Sequence, residues 1–178
     1  PVDPVDPVDP IPSGAGLFFS EYVAGSSYNK AIEIFNPTDA TISLAGWAFN
    51  QYSNGSTEPT ATLSLTGEIA SQDVLVIGSS QITADSALKA YVDVFSSAIN
   101  FNGDDYIELT LDGNVVDSFG TKGVRQSWAA NVTLVRLPTI STGDTITNDE
   151  FDKSIEWQSH ASNSFSYLGS HEFNGVSD

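Results

Sequence analysis

Short runs of alternating apolar and polar residues, divided by polar turns, dominate the chain from Leu17 onward. The two-residue alternation fits half-buried β-strands. It predicts strands over Leu17–Val23, Lys30–Phe35, Ile42–Asn50, Ala61–Leu65, Val74–Gly78, Tyr106–Asp112, Asn114–Phe119 and Val132–Leu137, each rich in β-branched and aromatic residues. Within Lys30–Phe35, Ile32 and Ile34 share one face while Ala31, Glu33 and Phe35 share the other. That strand ends at Asn36-Pro37, because proline lacks a ladder donor and biases the preceding residue away from helix. Asp112-Gly113 stands between two apolar runs and predicts a tight hairpin. One helical stretch is expected, Ala84–Tyr91, where Ala84, Ala87, Leu88 and Tyr91 share a face after the cap-like Thr83. From Thr139 to Asp152 the chain is polar and turn-rich, and Phe151, Ile155 and Trp157 are expected to fold back on the core. The pattern as a whole implies an all-β antiparallel sandwich with one short helix.

Composition narrows the chemistry. With 178 residues, 40% of them hydrophobic, the chain has material for one sizeable core. Its 23 Asp and Glu against 6 Lys and Arg give a formal charge of −17, a field that repels phosphate polymers and attracts cations. DNA binding by clustered cations is thereby disfavoured. Cysteine is absent, which removes disulfides, thiolate metal sites and a Cys nucleophile. No apolar segment approaches the roughly 20 residues of a membrane-spanning helix. The opening Pro-Val-Asp triplets favour an extended, charge-stiffened conformation, so residues 1–14 read as a linker, 15–172 as the domain and 173–178 as the start of a second linker.

Candidate chemistry is sparse. Glu21 and Glu33 fall on strands expected to be neighbours, with parity that puts both carboxylates on one sheet face. Asn102, Asp104 and Asp105 crowd a tight loop around Gly103. Ca²⁺ takes six to eight hard oxygens, and some of Glu21, Asn102, Asp104 and Asp105 form the expected ligand set; the same loop residues also suit simple turn formation. Lys122, Arg125 and Trp128 occupy one polar loop and form the expected partner or nucleic-acid contact, through charge and stacking. Trp47 and Trp157 read as core residues, and His160 and His171 as surface or packing residues without a recognised zinc spacing. Neither a Gly-x-Ser-x-Gly elbow nor a phosphate-cradling glycine loop occurs.

Over most of residues 16–170 the chain resembles the lamin tail domain, an immunoglobulin-like β-sandwich. The resemblance lies in Phe19–Val23 followed by Lys30–Pro37, in Leu44-Ala45-Gly46-Trp47, and in Asp73-Val74-Leu75-Val76-Ile77. It continues through the ordered block Asn102-Gly103-Asp104-Asp105, Ile107-Glu108-Leu109, Asp112-Gly113 and Val115-Val116-Asp117-Ser118, followed by Leu134-Val135-Arg136. Ser20-Glu21-Tyr22-Val23, Tyr52-Ser53-Asn54-Gly55-Ser56, Ala98–Asp105 and Leu168-Gly169-Ser170-His171 further resemble the lamin tail domains that precede the catalytic part of bacterial extracellular nucleases. The resemblance implies a non-catalytic accessory module, secreted or at the bacterial cell surface; a monomer is expected. Its partners would be a downstream catalytic domain of the same chain and extracellular DNA or a cell-surface polymer. Arg136 would be a framework residue paired with an acidic strand neighbour. A Ca²⁺-dependent adhesion or carbohydrate-binding module of a surface protein is the alternative.

Overall fold

The computed structural model describes residues 16–175; the expected linker at 1–14 and residues 176–178 lie outside the described residues. Among the described residues, twelve strands carry the fold. The first six are β1 (Phe18–Ala24), β2 (Lys30–Phe35), β3 (Ile42–Ser43), β4 (Trp47–Tyr52), β5 (Ala61–Ser64) and β6 (Glu68–Ile69). The others are β7 (Val74–Ser79), β8 (Val94–Ser96), β9 (Tyr106–Leu111), β10 (Asn114–Phe119), β11 (Val132–Arg136) and β12 (Trp157–Ala161). A six-stranded sheet in the order β12-β11-β1-β2-β7-β8 faces a four-stranded sheet in the order β10-β9-β4-β5, and β3 pairs with β6 alongside. This is an all-β immunoglobulin-like sandwich.

Side-chain alternation builds the core between the sheets. Tyr22, Ile32, Ile34, Ile77 and Leu134 project from one sheet toward Phe49, Ile107, Leu109 and Phe119 of the other. Tyr22 lies between two rings, 4.6 Å from Phe101 and 4.4 Å from Phe119, stacking contacts worth about 0.5–1.5 kcal/mol each beyond area burial. Trp47 and Trp157 join this core as expected. The outer face of the six-stranded sheet is also covered: Val23, Ala31 and Val76 pack against Ile82 and Leu88 on one side and Leu168 on the other. Residues 162–174 thus act as a strap across the sheet. Its ties are Ser26 N–H to Asn163 Oδ1 at 3.0 Å, Gly169 N–H to Glu33 Oε2 at 2.8 Å and Asn174 N–H to the Pro138 carbonyl at 3.0 Å.

Several expectations change in detail. The hairpin between β9 and β10 turns at Asp112 (φ 49°) and Gly113 (φ 81°), the two positive φ values that a type I′ turn needs. The single strand expected over Ile42–Asn50 is instead two, β3 and β4, because Gly46 takes a φ of 83° and turns the chain between them. The sandwich is not wholly antiparallel, since β8 pairs parallel to β7. At Ala84–Tyr91 the chain makes a 3₁₀ turn over Ala87–Tyr91, capped by Ser86 Oγ rather than by Thr83; the α-helix is α1 (Lys153–Glu156), with Asp152 accepting from Ser154 N–H. Phe151 packs on the core and Trp157 is buried, but Ile155 is 70% exposed because α1 turns it outward.

Candidate functional site

Two β-bulges face each other across the sandwich and organise its most polar interior cluster. One interrupts β1 between Phe19 and Glu21, the other interrupts β10 between Val115 and Asp117. A bulge leaves ladder groups unpaired. Asp117 answers this from the opposite sheet: its Oδ2 accepts from Phe19 N–H at 2.7 Å and its Oδ1 from Ser118 N–H and Asp144 N–H. Arg136 closes the cluster, donating from Nη1 to Asp117 Oδ2 (2.8 Å) and to the Phe19 carbonyl (3.1 Å), and from Nη2 to Glu156 Oε2 (2.7 Å). Its guanidinium lies 4.8 Å from the Trp157 ring centroid. Burial alone would weaken its charge, but Asp117 and Glu156 hold its pKa above the ordinary arginine value. The buried partner, Asp117, lies in the facing sheet rather than on a neighbouring strand, and the pair clamps the two sheets together.

The bulge at Ser20 also shapes the outer face of β1. Glu21 and Glu33 are direct cross-strand partners, so their side chains share that face, opposite to Tyr22 and Ile32. Both are buried, at 1% and 0% exposure. Glu33 is satisfied by Ser20 Oγ (2.7 Å) and by Gly169 N–H of the strap. Among the described residues, neither carboxylate oxygen of Glu21 has a hydrogen-bond partner. Desolvation, with the neighbouring Glu33, pushes the Glu21 pKa up to about 9; desolvation raises Glu33 to about 7. At neutral pH Glu21 therefore holds a proton.

The expected Ca²⁺ ligands are not gathered. Glu21 points to the outer face, whereas the Asn102–Asp105 loop leads into β9 of the other sheet. Asp105 accepts from Asn54 N–H at 2.9 Å and Asn102 N–H at 3.3 Å, Asp104 is paired with Arg125 at 2.8 Å, and the Asn102 amide is placed to donate to both carboxylates. Gly103, at φ 103°, turns its carbonyl to Trp128 N–H and Ala129 N–H. The loop is thus a self-satisfied turn that docks the segment before β11. Among the described residues, no three His, Asp or Glu side chains converge as a metal cage would require.

The structure does not gather Lys122, Arg125 and Trp128 on one exposed surface. Trp128 is 6% exposed, packed against Phe151 (6.1 Å between centroids) and over Gly120, because the Gly103 carbonyl draws its backbone inward. Lys122 lies 4.5 Å from the Tyr52 ring centroid and 3.8 Å from Glu108. Arg125 is exposed but committed to Asp104. The three side chains thus have separate roles, and no stacking platform faces solvent there.

A concave site lies elsewhere, on the outer face over β11 and β12, where the strap passes. This cavity of about 280 Å³ is lined by residues that include Val135, Gln158, His160, Tyr167 and His171. His171 packs edge-on to Phe35 (4.9 Å), and His160 lies 4.2 Å from the Tyr167 ring centroid. Desolvation, reinforced by the Arg136 charge, lowers the His171 pKa to about 4, so its ring is neutral in the physiological range. Both histidines were expected as surface or packing residues; their convergence depends on the strap, which no periodicity marks.

The architecture defines an immunoglobulin-like β-sandwich module. The chain belongs to the lamin tail domain family, whose model matches residues 10–123. β11, β12 and the strap lie beyond that match. Neither curated proteins nor solved structures gave a match.

Proposed function

We propose that this domain is an accessory module of a secreted bacterial enzyme, an extracellular nuclease, and that it acts by positioning the enzyme's catalytic domain relative to a substrate, partner or surface. The observation that carries the reading is how the convergent ionisable groups are used. Arg136, Asp117 and Glu156 are spent on clamping the sheets, and the Asn102–Asp105 loop on its own turn. The sequence blocks shared with nuclease-linked lamin tail domains supply the enzymatic context. With a charge of −17, the domain alone binds DNA weakly, so its contribution lies in tethering. The test compares the parent enzyme with a version lacking this domain, measuring hydrolysis of free DNA and of DNA held on a cell surface or matrix. Unchanged turnover on free DNA with reduced action on held DNA is the expected pattern. DNA hydrolysis by the isolated domain would sink the reading.

A further inference from the structure

We propose that the cavity between the strap and the β11–β12 edge is a binding site for a neutral saccharide unit. The proposal rests on the accessory reading above and gives that module a ligand class. Three properties of the cavity coincide in this chemistry.

The first is an aromatic wall. Tyr167 is 43% exposed and stacks against His160, a tilted pair with an interplanar angle of 30°. A pyranose presents one face of C–H groups, which packs on such a ring while its hydroxyls stay at the edge. The second is the supply of hydrogen-bonding groups. Gln158, Ser166 and Ser170 offer amide and hydroxyl groups around the opening. Among the described residues, Arg136 Nε and both ring nitrogens of His171, two further lining residues, lack hydrogen-bond partners. These atoms are closed to solvent, so a ligand in the cavity meets the exposed Gln158, Ser166 and Ser170 side chains instead.

Charge is the third property, and it selects among ligands. The Arg136 cation is already balanced by Asp117 and Glu156, and Glu172 stands among the lining residues. A phosphate or uronate chain would meet no spare positive charge there and an unfavourable overall field. The volume, about 280 Å³, lies just below the roughly 300–1,000 Å³ typical of drug-sized pockets and suits a single sugar ring.

The experiment exploits the chain's having only two histidines, both in this cavity. Their imidazole ¹⁵N and ¹³C resonances in the intact chain report the site directly. Neutral oligosaccharides of glucose, N-acetylglucosamine, xylose and mannose are titrated in turn, with polygalacturonate and a short single-stranded DNA as anionic counterparts. Saturable shifts at both histidines with at least one neutral oligosaccharide are expected, and Tyr167→Ala should weaken that binding about tenfold, the loss of one stacking contact. Gln158→Ala, at an exposed position, is a second variant expected to weaken it while leaving the free-state spectrum intact. Shifts with no neutral sugar, or only with the polyanions, would overturn the proposal. Neither result bears on the nuclease context, which the DNA-cleavage comparison reads separately.

Discussion

The protonated Glu21 makes the stability of this domain fall as pH rises, opposite to the usual behaviour of carboxylates that form ion pairs. In the unfolded chain the group titrates near 4.5, and in the folded domain near 9. Below 4.5 both states hold the proton and its stabilising effect is complete. Above that value the unfolded chain releases the proton while the native state keeps it, so native stability declines until the folded pKa is passed. Each proton retained only by the native state costs about 1.4 kcal/mol per pH unit. Glu33, raised to about 7, contributes to the slope at lower pH, leaving Glu21 the main carboxylate from about pH 7 to 9. Over that interval the expected loss is about 2–3 kcal/mol, a large part of the roughly 5–15 kcal/mol that stabilises a typical domain. Ordinary surface carboxylates are ionised throughout this range, and His171 is neutral in it, so they add little slope. The assay is urea unfolding at pH 6, about 7, 8 and about 9, followed by fluorescence of the buried Trp47, Trp128 and Trp157. Glu21→Gln keeps the shape and cannot ionise, so its stability should stay level between about pH 7 and 9. A wild-type protein with level stability over that range, or a variant with the same slope as wild type, would refute the reasoning.

Other outcomes follow from the same contacts. Arg136→Met leaves Asp117 buried without its cation and should cost about 3–5 kcal/mol, measured by chemical denaturation; the double variant Arg136→Met/Asp117→Leu should recover part of that loss. Trp128→Ala should cost about 3–5 kcal/mol through the cavity it opens, whereas Arg125→Ala, which breaks an exposed pair, should cost less than about 1 kcal/mol; similar losses would contradict the burial of Trp128. Gly103→Ala should lower thermal stability by about 2 kcal/mol or more, because φ is 103° and a new methyl group would meet the backbone of Ala129 and Ala130.

The strands were legible because their apolar and β-branched residues recur at the two-residue strand spacing: β2, β9 and β10 run close to their apolar runs, and Asp112-Gly113 marks its turn by residue type alone. What escaped had no local signal. β12 reads Trp-Gln-Ser-His-Ala, with little β-propensity, and forms because β11 offers an edge to pair with. The parallel β8 is three residues long. Parity places Glu21 and Glu33 on one face, but the strap group that binds Glu33, the Gly169 N–H, lies more than a hundred positions away. Trp128 misled because its polar neighbours suggested an exposed loop, whereas the Gly103 carbonyl pulls it into the core. Residue type announced neither the Arg136 clamp across the sheets nor the two bulges that call for it.

The place of β1 in the sheet has a consequence for how the chain acquires its structure. Its neighbours are β2, made almost at once, and β11, so that Phe19 waits for Arg136, 117 positions downstream. At a synthesis rate of roughly 5–20 residues per second, that wait is on the order of ten seconds. Throughout it β1 presents an open, apolar edge, the kind of surface on which chains join one another. A polypeptide stopped at residue 123, where the family match ends, would keep that edge permanently. In the finished sheet β11 covers the edge that β1 would otherwise expose, and β12 takes its place as the edge strand.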